Sequence, residues 1–300
     1  MIDVLRNILA NKKSRFGFII LSMFLLTALI GPFLVGDPKA FVARPLLSPS
    51  AEYWFGTTAQ GQDVFAQTIV GCRATLVIGI IVGVCVSVIS AFVGISAGYY
   101  GGKIDDALSL LINVFLVIPG LPLMVVLAAW LPPSPASIVL VLTFTGWSWG
   151  ARILRAQTLS LRNRDFISAA KLSGETHLRI IFQQLLPNMA SLLVAGFIGT
   201  TVFAIGAQVG LEFLGLGDVG AVTWGTNLYW ATNDQALITG SWWTFLPTGL
   251  SVALVGFSLT LINYGIDEIT NPRLTAEETF RSRLGQFFAG TTPVVRSKDD

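Results

Sequence analysis

The stretch ATLVIGIIVGVCVSVISAFVGISAG, residues 74–98, contains 25 consecutive residues without a charged side chain. A helix of this length rises about 37 Å at 1.5 Å per residue, which exceeds the roughly 30 Å hydrocarbon core of a bilayer. Because lipid offers no partners to backbone amides and carbonyls, such a run is expected to satisfy them internally as a transmembrane helix. The stretch therefore predicts an all-α membrane protein.

Similar runs occur along the rest of the chain. Of the 300 residues, 53% are hydrophobic and only 12% are charged, a balance far from that of a soluble domain. Uncharged apolar runs occupy residues 16–36, 74–98, 107–131, 134–151, 189–210 and 245–266. We therefore expect six transmembrane helices in one membrane domain, residues 16–266. The first run is longer than a typical signal-peptide core and is interpreted as a retained helix.

Lysine and arginine set the expected orientation, because positive residues are retained on the cytoplasmic side. With the N-terminus inside, the cytoplasmic segments carry 16 of the 19 basic residues, and the outer segments carry only Lys39, Arg44 and Arg73. The opposite orientation would reverse this bias. The pattern predicts a cytoplasmic N-terminal segment, loop and tail at residues 1–15, 152–188 and 267–300, with outer loops at 37–73 and 211–244.

The chain lacks the residues of an energy source for transport. None of the six runs contains Asp, Glu, Lys, Arg or His, although ion-coupled transporters place ionisable residues there. No G-x-x-x-x-G-K-[ST] phosphate-binding motif occurs. Cys72, Cys85 and His177 match no metal-binding or redox spacing. We therefore expect no enzymatic activity, no cofactor or metal in this chain, and no nucleic-acid partner.

The third run contains residues that could serve a solute path, namely Asn113, Pro119 and Pro122. Proline in the middle of a helix frees backbone carbonyls, which are tolerated at this depth only if they are buried in protein or line a wet cavity. A kinked third helix that faces a pore follows as a hypothesis. A packing kink without a ligand role is the alternative.

The predicted cytoplasmic loop is far longer than a turn requires. Its central part, RDFISAAKLSGETHLRIIFQQLLPN at residues 164–188, predicts a short helix with Asp165 in its first turn, where a carboxylate offsets the helix dipole. Gly174 permits a sharp bend after it. A small-residue helix exposed to the cytoplasm suits insertion into a groove of another protein. Its candidate contact residues are Asp165, Ser168, Ala169, Ala170, Lys171, Gly174 and Glu175.

This segment resembles the EAA loop of ABC importer permeases. The matching positions in SAAKLSG and QLLPN are Ala169, Ala170, Gly174, Leu186 and Pro187. Ser168 stands where the family often has Glu, so a salt bridge from that position is not expected.

Three further stretches resemble one branch of that family, the C-type permease subunit of dipeptide, oligopeptide and nickel importers. In the first of these stretches, residues 54–79, Gln62 stands where that branch usually has Arg. The stretches are WFGTTAQGQDVFAQTIVGCRATLVIG at residues 54–79, LEFLGLG at 211–217 with WGTNL at 224–228, and DEITNPRL at 267–274.

The resemblance implies the type I permease fold of ABC importers and one half of a translocation path. It implies a second homologous permease subunit, two cytoplasmic ATPase subunits that bind the EAA helices, and an extracytoplasmic substrate-binding protein. ATP and Mg would bind those ATPase subunits. The implied location is the bilayer of the cytoplasmic membrane of a bacterium or archaeon.

Alternatives remain open for both substrate and class. Short peptides are expected, with oligosaccharides or nickel as alternatives, although nickel would favour intramembrane His or carboxylates. The acidic outer loop, with Glu212, Asp218 and Asp234, either attracts a cationic substrate group or faces the binding protein. An ion-coupled secondary transporter and a purely structural membrane subunit are the alternative classes.

Overall fold

The structure, a computed structural model, describes residues 11–270. Within this range it contains helices and no strand, which confirms the predicted all-α class. Most of the predicted N-terminal segment and of the C-terminal tail, with the end of DEITNPRL, lies outside the described residues. The helices are α1 (Lys12–Ile30), α2 (Val64–Tyr100), α3 (Gly102–Val117), α4 (Gly120–Trp130), α5 (Pro135–Arg162), α6 (Asp165–Leu172), α7 (His177–Arg179), α8 (Leu186–Asn188), α9 (Ala190–Phe213), α10 (Trp224–Asn233), α11 (Ala236–Thr239) and α12 (Leu246–Thr270), with a π-helical turn at Ile180–Leu185 and 3-10 turns at Gly31–Phe33 and Trp242–Thr244.

Five helices in the described range are long and apolar enough to cross a membrane: α1 with the 3-10 turn that follows it, α2, α5, α9 and α12. The α3–α4 pair meets the same criterion when its two halves are taken together, although they are bent by 86°. Counting that pair as one span gives the six spans that the sequence predicts.

The third span differs most from the expectation of a single kinked helix. The helix stops after Val117, and Ile118 and Pro119 adopt extended backbone with ψ of 127° and 112°. A residue before proline is pushed away from helical geometry, and proline has no N–H to continue the hydrogen-bond ladder. Pro122 then lies in the first turn of α4, where proline is tolerated. The result is a break between two helices.

α2 is the central helix of the fold. It has 37 residues and begins at Val64, ten residues before the predicted span. The Asp63 side chain caps it by accepting a hydrogen bond from the Phe65 amide at 2.9 Å. At 1.5 Å per residue it is about 55 Å long, which is enough to project beyond the hydrocarbon core at one or both ends. The end of the predicted outer loop 37–73 is therefore the beginning of this helix.

Three apolar clusters surround α2. The first joins its middle to α3, α4, α5 and α9 through residues such as Val86, Ile112 and Leu142. The second joins its first half to α1, α9, α10 and α12. The third joins its last turns to α5, α6 and the segment after α6. One helix therefore contacts both predicted outer loops and the predicted coupling segment, residues 164–188.

Candidate coupling segment, path and outer junction

α6 presents part of the predicted contact set and buries the rest. Ile167 and Ala170, one turn apart, are buried in the third cluster. Asp165, Ser168, Ala169 and Lys171 are exposed. Leu172 is 89% exposed, although an apolar side chain of its size is usually buried. The exposed face of α6, rather than the whole helix, is therefore available to a partner, and Ala170 anchors the helix from below.

The bend after α6 has the hydrogen bonds of a Schellman motif. The Glu175 amide donates to the Ala170 carbonyl at 3.1 Å, and the Gly174 amide donates to the Lys171 carbonyl at 3.1 Å. Gly174 has a φ of +78°, the left-handed conformation that glycine adopts without a steric penalty. The predicted bend therefore occurs at the predicted residue. Glu175, half-buried, lies 4.0 Å from Arg179 across one helical turn.

Past the bend, the chain rises toward α9 through a π-helical turn. The Leu186 amide donates to the Ile181 carbonyl, five residues back. Ile180 and Leu185 are fully buried in the third cluster. Pro187 falls in the first turn of α8, a position where proline is tolerated.

A side-chain clasp ties the coupling segment to α2, and sequence reasoning missed it. The Tyr99 hydroxyl and His177 Nδ1 share a hydrogen bond of 2.9 Å. Lys171 Nζ lies 5.6 Å from the centre of the Tyr99 ring, within the range of a cation–π interaction. The Tyr100 ring packs edge-on against His177. The single histidine of the chain thus connects the segment to the end of α2 rather than standing alone on the surface.

A second side-chain link joins α3 to α5. Arg155 Nε and Nη2 donate to the two carboxylate oxygens of Asp105 at 2.5 and 2.8 Å. Such bidentate pairs are stronger and more directional than single contacts. α5 leads directly into α6, so this pair connects the broken α3–α4 span to the coupling segment. The partners are 50 positions apart in the sequence, so no local sequence signal indicates the pair.

The three candidate path residues all lie on exposed surface of the α3–α4 pair. Asn113 is exposed on α3, Pro119 precedes α4, and Pro122 is exposed in its first turn. The opposite side of the pair is packed in the first cluster through Ile112 and Met124. The pair therefore turns these three residues away from the first cluster.

The LEFLGLG and WGTNL stretches, residues 211–217 and 224–228, meet α2 at a contact called here the outer junction, after the predicted side of the membrane. Trp224, fully buried, donates from Nε1 to the Thr68 carbonyl at 3.0 Å, and its backbone amide donates to Thr75 Oγ1 at 3.1 Å. Thr223 and Thr226 form a capping box at the start of α10. Gly71 lets α10 approach α2, because an added Cβ there would lie 3.1 Å from Trp224. The second outer loop is thus fixed onto α2.

Glu212 is buried in this junction and is not an exposed charged residue of the loop. It lies in the last turn of α9, is only 4% exposed, and accepts hydrogen bonds from Thr223 Oγ1 at 2.6 Å and Gln208 Nε2 at 3.0 Å. Gly225 leaves room for it, since a Cβ there would lie 2.5 Å from the Glu212 Cβ. Of the three acidic residues of the predicted loop, Glu212 is therefore unavailable to a partner.

Comparison with known proteins identifies the family. Residues 90–274 match the family described as binding-protein-dependent transport system inner membrane component. This match covers the last turns of α2 and all helices from α3 to α12, with the coupling segment between α5 and α9. The chain belongs to this family. The permease is a non-catalytic, multi-pass membrane subunit of an ABC importer.

Individual relatives cover three quarters or more of the permease. The dipeptide transport system permease protein DppC of Bacillus subtilis strain 168 is 33% identical over 279 residues, 91% of this chain and 85% of the relative. The oligopeptide transport system permease protein OppC of the same organism is 30% identical, over 91% and 89% of the two chains. The OppC protein of Mycobacterium tuberculosis is 34% identical over 76% of this chain and 78% of its own length.

Proposed function

We propose that this permease forms one half of a path for short peptides and that ATPase subunits drive it through the exposed face of α6. The substrate class follows from the names of the relatives, which transport dipeptides and oligopeptides. A second homologous permease subunit would complete the path, two ATPase subunits would bind ATP and Mg, and a binding protein would deliver the peptide. The proposed location is the cytoplasmic membrane of a bacterium or archaeon, with both termini in the cytoplasm.

The observation that carries the coupling role is the combination of an exposed face and a rigid attachment. The exposed face of α6 includes Leu172, whereas Ile167 is buried in the cluster that joins α6 to α2 and α5. The Tyr99–His177 hydrogen bond ties α7, the next helix, to α2. A force applied to that face would therefore be transmitted to membrane-spanning helices instead of being absorbed by a loop. This transmission would change the access of the path from one side to the other.

Uptake of a labelled dipeptide into vesicles that contain the complete importer tests the function. We expect uptake to require ATP on the side of the vesicle membrane that carries the ATPase subunits. It should also require the binding protein on the opposite side. Omission of the ATPase subunits should reduce uptake to the level of empty vesicles. Unlabelled dipeptide should compete, whereas an oligosaccharide or Ni²⁺ should not. Uptake that persists without ATPase subunits and follows an ion gradient would contradict the proposal.

Labelling of single cysteines tests the path residues. In a background without Cys72 and Cys85, we expect Asn113→Cys, Pro119→Cys and Pro122→Cys to react with a water-soluble, membrane-impermeant thiol reagent in at least one nucleotide state of the importer. Ile112→Cys serves as the control, because Ile112 is 2% exposed and should not react in the folded protein. Absence of labelling at all three positions in every state would remove them from the path.

A further inference from the structure

A cavity of about 230 Å³ lies between the two outer loops. One wall comes from the first loop and the start of α2, and the other comes from residues 219–244. Its volume is below the roughly 300–1,000 Å³ of pockets that enclose whole small molecules. The cavity therefore suits a single side chain better than a complete peptide substrate. Its polar wall residues include Lys39, Gln60 and Asp234.

A carboxylate in this cavity has no cationic partner within residues 11–270. Asp234 accepts hydrogen bonds from Gln60 Nε2 on both oxygens, at 3.2 and 3.1 Å. The ion pairs of the described range join other residues, Arg155 with Asp105 and Arg179 with Glu175. Lys39 also lines the cavity, but it is exposed and forms no salt bridge with Asp234. The Gln60 amide thus orients the carboxylate, which forms no salt bridge within the described residues.

An aromatic surface stands beside this carboxylate. Trp230 is 42% exposed and lines the same cavity. Its Nε1 donates to the Val219 carbonyl at 2.9 Å, which fixes the orientation of the ring. A planar guanidinium both stacks on tryptophan and pairs with a carboxylate, and a lysine ammonium also interacts with both. Residues 211–244 contain no Lys or Arg, so this loop itself offers a cation no repulsion.

We propose that this cavity receives one basic side chain, arginine or lysine, from the external binding protein when that protein docks on the outer face. The proposal rests on the proposed function and names the chemistry of one of its partners. Asp234 pairs with the cation and Trp230 packs against its stem or plane. Charged and aromatic contacts of this kind often dominate the affinity of an interface. The cavity is lined in part by Gln67 of α2. The other end of α2 packs on the coupling segment in the third cluster, so α2 connects the two sites.

The substitution Asp234→Asn tests this proposal. It removes the charge, keeps the shape of the side chain, and retains an oxygen that accepts from Gln60. In the reconstituted complete importer, ATP hydrolysis is measured against the concentration of its own substrate-loaded binding protein. We expect the half-saturating concentration to rise about tenfold and to become less dependent on salt, because a charged contact is lost. The rate of ATP hydrolysis without binding protein should not change, and this rate also reports that the complex folds and assembles.

Asp218→Asn is the matched control. Asp218 lies on the same loop, and its Oδ1 accepts from the Gly220 amide at 2.9 Å, a bond that asparagine can keep. This variant should leave the half-saturating concentration within about twofold of the parent. An unchanged value for Asp234→Asn, or an equal rise in both variants, would overturn the proposal. A selective loss of uptake of cationic peptides at unchanged half-saturation would also overturn it, in favour of a substrate role.

The same experiment separates this inference from the proposed function. If the parent importer is stimulated by its binding protein and Asp234→Asn responds identically, only the cavity assignment fails. If the parent importer shows neither stimulation nor peptide uptake, the proposed function itself fails.

Discussion

A Gly174→Val variant is expected to insert and assemble normally but to lose most of its peptide uptake while the ATPases of the complex continue to hydrolyse ATP. Gly174 has a φ of +78°, and this conformation costs an L-residue about 1–2 kcal/mol, with a β-branched residue among the worst. A change of that size corresponds to a factor of about 5–30 between two states. The segment would leave the bent state, so we expect uptake per ATP hydrolysed to fall about tenfold.

A graded series separates backbone conformation from steric clash at this position. No atom lies within 4 Å of the place that a Cβ on Gly174 would occupy, so an added side chain meets open space. Asparagine tolerates the left-handed conformation better than alanine, and alanine better than valine. The loss of uptake should therefore increase from Gly174→Asn through Gly174→Ala to Gly174→Val. Equal losses in all three variants would show that the bend is not the cause, and normal uptake by the valine variant would contradict the coupling role.

The spans and the bend were predictable because each is determined by local chemistry. A bilayer demands a minimum length of uncharged chain, and the run at residues 74–98 meets it without reference to any neighbour. A left-handed residue after a short helix demands glycine or a close substitute, and Gly174 is the glycine in that position. The sequence patterns therefore predict where the chain crosses lipid and where it turns.

Features that depend on distant partners had no such signal. Pro119 indicates a disturbance in the third span, but whether it produces a kink or an 86° break depends on how both halves pack. Here Ile112 and Met124, on opposite sides of the break, share one cluster. The charge pattern places Glu212 in an acidic loop. In the structure Thr223, eleven residues later, donates a hydrogen bond to the buried Glu212 carboxylate. Tyr99 and His177 are 78 residues apart.

The contact residues of α6 illustrate an intermediate case. The small residues predict a helix that inserts into a groove of another protein, and the structure exposes Ser168 and Ala169 but buries Ala170. Residues three apart lie on one helical face, so Ile167 and Ala170 together carried a periodic signal for the buried side. The resemblance to the EAA loop emphasises the matched positions equally and does not distinguish the face that meets the partner from the face that holds the helix.

A Gly94→Val substitution is expected to prevent stable folding of the permease. α2 and α5 make the most extensive helix–helix contact in the described range, and an added Cβ at Gly94 would overlap the Ala151 carbonyl oxygen. At Gly98, one turn later, a Cβ would lie 2.8 Å from the Arg155 carbonyl oxygen and 2.7 Å from the Thr158 Cβ. The obstacle at both positions includes backbone, which cannot rotate away as a side chain can. Small residues at such spacing allow helices in membranes to approach closely.

Overpacking of this kind costs about 1–3 kcal/mol, and more where the backbone must move. We expect the thermal midpoint of the detergent-solubilised protein to fall by several degrees for Gly94→Ala, and no folded Gly94→Val protein to be recovered. Gly199→Ala in α9 is the matched control, because nothing lies within 4 Å of its Cβ position, and alanine is the better helix former by about 0.5–1 kcal/mol. The thermal midpoint of Gly199→Ala should equal or exceed that of the parent protein. A stable Gly94→Val protein would show that α2 and α5 can separate without loss of the fold, and α2 could then no longer be regarded as the rigid connection between the outer junction and the coupling segment.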